Sequence, residues 1–239
     1  MKKIIVKSLV SASLVSASLS AEILTQTQKV INYSVSLEKP KNLQFTFSNK
    51  EKSLCQLKFS VKGTNGNILL SNKYNFKNKK DIFNIALQKG NYNLILDWGG
   101  APRCLNTPFD FQLTKITGNF EIEPNDKISQ ATLMKEKSFY TGVLQSKNPK
   151  DNDYYKIIVD KDGSLRLVFK NELSKESNRI YGIELLNENK QKITLLKSSL
   201  KKKGIDKSIN IKKGVYFIKV YSIHFGLENK EYNIAYVVN

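Results

Sequence analysis

The sequence predicts an all-β protein: two tandem antiparallel β-sandwich domains, jelly-roll-like, behind a cleaved signal peptide. Three observations carry this. Apolar and polar residues alternate from end to end, as in Leu43-Gln44-Phe45-Thr46-Phe47 and Ile209-Asn210-Ile211, which is the period of a half-buried strand. The short runs are punctuated by Asn, Gly, Lys and Pro turns, a spacing that fits a sandwich and not parallel βαβ units. Finally, the two halves of the chain repeat one another.

The N-terminal segment is read first. Lys2, Lys3 and Lys7 give a positive start, and Ile4 to Leu19 is an apolar and small-residue stretch ending in Ser18-Leu19-Ser20-Ala21. This is the shape of a secretory signal peptide, residues 1–21, with cleavage expected after Ser20 or Ala21. Lys7 and the interspersed serines leave it short of the ~20 apolar residues that a spanning helix needs. No later stretch of that length is apolar, so no transmembrane segment is expected in the mature form, and the protein is expected to be secreted or periplasmic. In such an oxidising compartment the two cysteines, Cys55 and Cys104, are expected to form a disulfide.

The repeat divides the remainder into 22–118 and 119–239. Tyr33 to Phe47 aligns with Tyr155 to Phe169, and Phe59 to Ile68 with Ile183 to Ile193. The sharpest pairing sets Ile85-Ala86-Leu87-Gln88-Lys89-Gly90-Asn91-Tyr92 against Ile209-Asn210-Ile211-Lys212-Lys213-Gly214-Val215-Tyr216. In each copy a strand stops at Lys-Gly, where glycine is expected to ease a turn, and restarts with a tyrosine expected in the core. Phe109 to Leu113 and Tyr232 to Tyr236 are expected to close the two copies. Only Lys127 to Lys137 has the makings of a short helix, and Asp160-Lys161-Asp162-Gly163 reads as a hairpin turn.

The second copy contains a recognisable set of motifs. Glu121-Ile122-Glu123-Pro124-Asn125-Asp126, Ala131, Gly142-Val143-Leu144, Asp151-Asn152-Asp153-Tyr154-Tyr155, Gly163, Leu185 and Gly214-Val215-Tyr216 resemble the bacterial pre-peptidase C-terminal domain, related to the collagen-binding domains of bacterial collagenases. The resemblance covers 119–239; residues 27–118 look like a diverged copy without the acidic motifs. It implies a β-sandwich module of an exported protein that acts by binding or as an accessory, and a calcium site at Glu121, Glu123, Asn125, Asp126 and Asp153. Asp151 is carried with them, although calcium-binding relatives space this aspartate pair more widely.

The same cluster has a physical reading. These carboxylates crowd into two short segments of a basic protein, where like charges repel, and a hard cation with oxygen ligands would compensate them. In an extended segment Glu121, Glu123 and Asn125 point to one face. The other reading is a solvated linker with an Asn-Asp cap before Ile128.

Charge and composition exclude more than they name. The 39 Lys+Arg against 21 Asp+Glu give +18, yet only Arg103, Arg166 and Arg179 are arginine. Bidentate readers of phosphate and guanine favour the arginine fork, whereas lysine also serves solubility, so no specific nucleic-acid partner is expected. Losing Lys2, Lys3 and Lys7 on export leaves +15, divided as +8 on 22–118 and +7 on 119–239. A single His224, two cysteines and no Gly-x-Ser-x-Gly elbow leave no zinc cluster and no serine triad, and no enzyme is expected.

Two binding surfaces follow. The family resemblance points to exposed aromatics on one sheet face, with Tyr181 and Tyr221 as candidates for contact with an extracellular protein or glycan. The alternative is an electrostatic binder of polyanions or anionic membrane surfaces, acting through Lys77, Lys79, Lys80, Lys201, Lys202, Lys203, Lys212 and Lys213.

Overall fold

The fold is that of a computed structural model, which describes residues 17–19, 30–50, 52–99, 104, 107, 109–144, 151–171, 180–198, 204–223 and 231–239. The chain divides into two compact units, Met1–Thr117 and Gly118–Asn239. Both are all-β.

In the first unit, strands β1 (Ala17–Leu19), β2 (Val30–Leu37), β3 (Lys41–Ser48), β4 (Gln56–Gly63), β5 (Ile68–Asn75), β6 (Lys80–Leu87), β7 (Gly90–Asp97) and β8 (Asp110–Lys115) follow in order. They form two antiparallel layers, β1-β8-β3-β6 and β2-β7-β4-β5. Between the layers lies an aromatic core in which the Phe47 ring is 4.9 Å from both Phe59 and Phe111. Cys55 and Cys104, both buried, join in a disulfide across 49 positions. Trp98 stacks 5.2 Å from Phe76 within the same cluster.

The second unit contains β9 (Ile122–Glu123), β10 (Thr132–Leu133), β11 (Tyr140–Val143), β12 (Asn152–Val159), β13 (Gly163–Asn171), β14 (Tyr181–Asn187), β15 (Lys192–Lys197), β16 (Gly204–Ile211), β17 (Gly214–Ser222) and β18 (Glu231–Val238). Its layers are β10-β12-β17-β14-β15 and β11-β18-β13-β16. The strands of these layers pair antiparallel except β10 with β12, and an isolated Phe120–Thr141 bridge is also parallel. The period-two pattern sets the inner face: Asp153, Tyr155, Ile157 and Val159 of β12 are buried, and the last three share one core with Leu165, Leu167 and Phe169 of β13, as expected of alternating strands.

The two units share one strand order. β2-β7-β4-β5 corresponds to β12-β17-β14-β15, and β8-β3-β6 to β18-β13-β16. They also share a turn lock. Tyr92 donates its hydroxyl to the Gln88 carbonyl at 2.9 Å, and Tyr216 donates to the Lys212 carbonyl at 2.9 Å.

At the second of these Lys-Gly turns the glycine has a positive φ, 159° at Gly214. Two local expectations need correction. Lys127 to Lys137 forms a single 3-10 turn, Ile128–Gln130, without a side-chain cap, because Thr132–Leu133 is drawn into pairing with β12. Asp160 to Asp162 joins strands of opposite layers and is not a hairpin; Asp162 Oδ1 accepts the Lys213 amide at 2.7 Å.

Candidate metal centre

The second unit gathers three of its acidic residues where the alternation of short strands points them inward. Glu121 precedes β9 and Glu123 ends it, so the two share a face. Asp153 lies on the inner face of β12. Each of these three carboxylates offers an oxygen within 4.8 Å of the others, and all three are buried. Asn125 is wholly buried beside them: its amide nitrogen reaches Glu121 Oε2 at 3.3 Å, and its backbone amide donates to Glu123 Oε2 at 3.2 Å. The Tyr154 amide donates to the Asn125 carbonyl at 3.1 Å, tying this segment to β12. The Glu123-Pro124 peptide is cis.

Two tyrosines complete the cluster. Tyr155, two residues beyond Asp153 on the same face, and Tyr232 of β18 bring their hydroxyls 2.8 Å apart. Tyr232 donates to Asp153 Oδ2 at 2.5 Å and lies 3.2 Å from Glu121 Oε2. Gly142, opposite Tyr232 in the β11–β18 register, gives them room: a Cβ there would collide with the end of the Tyr232 ring and stand 2.6 Å from the Tyr155 hydroxyl. Next to it, the Val143 amide donates to Glu121 Oε1 at 2.5 Å.

The electrostatics are those of a site short of positive charge. Burial, then repulsion from Asp151, Glu121 and Asp126, pushes the Glu123 carboxyl well up. Burial, then Glu121 and Asp151, does the same to Asp153. Glu121 is raised by burial against the pull of its hydrogen bonds. Both tyrosine hydroxyls are pushed well up by burial and by Glu121 and Asp153. Two buried oxygens, Asn125 Oδ1 and Asp153 Oδ1, have no hydrogen-bond partner. Orphaned acceptors of this kind are rare unless something binds them. An all-oxygen set of three carboxylates and an amide is the donor chemistry of a hard cation such as calcium, and Glu121, Glu123, Asn125 and Asp153 would hold it.

The other acidic candidates lie differently. Asp151 is buried and its charge acts on Glu123 and Asp153. Asp126 is exposed and stands outside the three-carboxylate group; its Oδ1 accepts the Asn152 amide at 3.4 Å.

Of the aromatic candidates, Tyr181 must be withdrawn as a contact residue. It has 0% exposure, and its ring packs 5.1 Å from Phe169 and 5.6 Å from Tyr232 in the core. Tyr221 lies on the outer face of β17. Lys219 extends its ammonium over Tyr221 at 5.0 Å and over Tyr154 at 5.7 Å. Tyr221 donates to Glu184 Oε1 at 3.3 Å, which Lys192 approaches at 3.6 Å. Gly182 lies under the Tyr221 ring, where a Cβ would stand 2.5 Å from Cζ.

Lys77, Lys79 and Lys80 are exposed around the β5–β6 turn of the first unit, and Lys212 and Lys213 are exposed in the β16–β17 turn of the second. Lys201, Lys202, Lys203 and His224 lie outside the described residues, as does the signal segment apart from Ala17–Leu19.

Sequence reasoning gave Tyr155 a place in the repeat and in the Asp153-Tyr154-Tyr155 motif, and Tyr232 only a closing strand. The two-residue step from Asp153 to Tyr155 could have found the first. Nothing local marks the second.

No family model matches the chain, and no curated protein matches it. Solved structures do. The pre-peptidase C-terminal domain of a collagenase from Bacillus anthracis is similar over 44% of this chain and 93% of that one, at 17% identity and a TM-score of 0.36. Tandem family 51 carbohydrate-binding modules of a Streptococcus pneumoniae glycoside hydrolase are similar over 90% of this chain and 83% of that one, at 9% identity and a TM-score of 0.29. Tandem family 22 modules from Paenibacillus barcinonensis are similar over 87% and 82%, at 11% identity and a TM-score of 0.29. Among the described residues no helix is long and apolar enough to cross a membrane.

Proposed function

We propose that this is an exported, non-enzymatic binding protein of pre-peptidase C-terminal type. Its second unit is braced by calcium, and its open sheet face contacts an extracellular protein or glycan. The observation that carries the binding role is Lys219 held between Tyr154 and Tyr221 on the outer face of β12 and β17. Half-buried aromatic rings with a fixed cation between them offer apolar area and hydrogen-bonding groups at little cost in side-chain entropy. The calcium role is supported by the three buried carboxylates and the two orphaned oxygens beside them.

The test is a pull-down of the mature protein against matrix proteins and immobilised glycans at two salt concentrations, with calcium or with chelator, repeated with Tyr221→Ala. Retention that survives high salt and is lost in the variant supports the reading. Retention that collapses with salt and ignores Tyr221 replaces it with the polyanion reading through the lysine-rich turns.

A further inference from the structure

The correspondence between the two units extends to their outermost strands. Phe111 of β8 pairs with Phe47, and Ile234 of β18 pairs with Phe169, so β8 and β18 hold equivalent places. On the free side of β18 lies β11, antiparallel, with Tyr140 opposite Ile234. On the free side of β8 lies β1, also antiparallel, with Leu19 opposite Phe111. The chain lengths agree to within one residue. Leu19 is 11 residues before Val30, the start of β2, and Tyr140 is 12 before Asn152, the start of β12. The two strands share that one position: from it β11 runs on beside Asn233, Tyr232 and Glu231, whereas β1 covers Gln112 and Leu113, and Ala17–Leu19 lies within the segment expected to be removed on export.

Cleavage after Ser20 or Ala21 would remove that strand. In the second unit, eight residues, 144–151, are spent on the connection from β11 to β12. A chain beginning at Glu22 has the same number, 22–29, before Val30. β8 would then expose a row of backbone amides and carbonyls along its outer edge, a template for a further strand.

We propose that the outer edge of β8 in the mature protein is a strand-acceptor site, filled by an extended, uncharged segment of a partner protein. The inference rests on the export reading. The chemistry of the occupant is read from the strands that run beside these two edges: Ala-Ser-Leu in the first unit and Tyr-Thr-Gly-Val in the second, none of them charged. The middle of the edge, Phe111-Gln112-Leu113, is uncharged too, with Asp110 and Lys115 at its ends. A second copy of the chain is disfavoured as occupant, because each mature chain carries +15 and two such bodies repel.

The experiment uses protein recovered from the exporting cell. Its N-terminus is read by intact mass, and amide exchange at Asp110–Lys115 is followed with and without a synthetic peptide of residues 14–21. An N-terminus at Ala21 or Glu22, β8 amides exchanging at least tenfold faster than those of β18, and a tenfold or greater slowing by the peptide support the site. A peptide carrying Ser18→Pro should give no slowing. An N-terminus upstream of Ala17, β8 amides already protected in the monomer, or protection that follows a monomer–dimer equilibrium would overturn it. The Tyr221→Ala protein should retain the peptide effect, so loss of the outer-face ligand and loss of the strand site are separately visible.

Discussion

The hydroxyls of Tyr155 and Tyr232 stand 2.8 Å apart, on strands of opposite layers, and both lie within hydrogen-bond reach of the same oxygen, Glu121 Oε2. Two phenolic protons thus serve a buried group with several acceptors, and Tyr232 alone also reaches Asp153. Tyr232→Phe should destabilise the cation-free second unit by about 1–3 kcal/mol, the cost of stranding buried acceptors. Tyr155→Phe should cost less, since its hydroxyl meets one carboxylate. Denaturant unfolding of the single and double variants checks this: a double variant that loses the plain sum of the two would show that the hydroxyls act independently and would contradict a shared network.

Calcium should raise the unfolding midpoint of the chelator-treated protein. Binding to the folded state alone stabilises by about 2.7 kcal/mol when free ion is 100 times Kd. Glu123→Gln and Asp153→Asn should abolish most of the response, because both residues belong to the buried three-carboxylate group. Asp126→Asn should keep most of it, because Asp126 is exposed and outside that group. Thermal melts across a calcium titration decide the matter, and an unchanged melt in the unsubstituted protein would remove calcium from the site.

Without the cation, pH should act in an unusual direction. Burial and mutual repulsion raise the Glu121, Glu123 and Asp153 carboxyls above their ordinary values. A raised group binds more protons folded than unfolded, so its contribution is fully present below the unfolded pKa, about 4 for such carboxyls, and is lost as pH rises through the folded value. In chelator, the second unit should melt higher at pH 5.5 than at pH 7.5. With saturating calcium the order should reverse, since the ion competes with protons for the same oxygens. Melting curves at the two pH values, with and without chelator, provide the check.

How far these features could be read from the sequence depends on how local they are. Strands such as β12 and β13 alternate cleanly, and the repeat of Tyr33–Phe47 in Tyr155–Phe169 reappears as equivalent strands β2–β3 and β12–β13. Glu121 and Glu123 were legible as a pair because a step of two keeps a face. Tyr232 was not legible as part of the centre: it is 111 positions from Glu121 and 79 from Asp153, and only the packing of two layers unites them. Tyr181 was misread because it was taken from the family resemblance to exposed aromatics, although its step of two to Ile183 and Leu185 puts it on their buried face.

The disulfide supplies a prediction confined to the first unit. It ties Cys55, just ahead of β4, to Cys104, in the segment before β8, across 49 positions. Removing a cross-link of that span frees the unfolded chain and should cost about 4 kcal/mol in the chain-entropy model. Both cysteines lie in the apolar cluster that contains Trp98, the only tryptophan of the chain. Its fluorescence therefore reports this unit. The Cys55→Ser, Cys104→Ser double variant should move the tryptophan-detected transition to markedly lower denaturant, and reduction of the unsubstituted protein should do the same. A transition left in place by both treatments would mean that the aromatic core holds the unit without its cross-link.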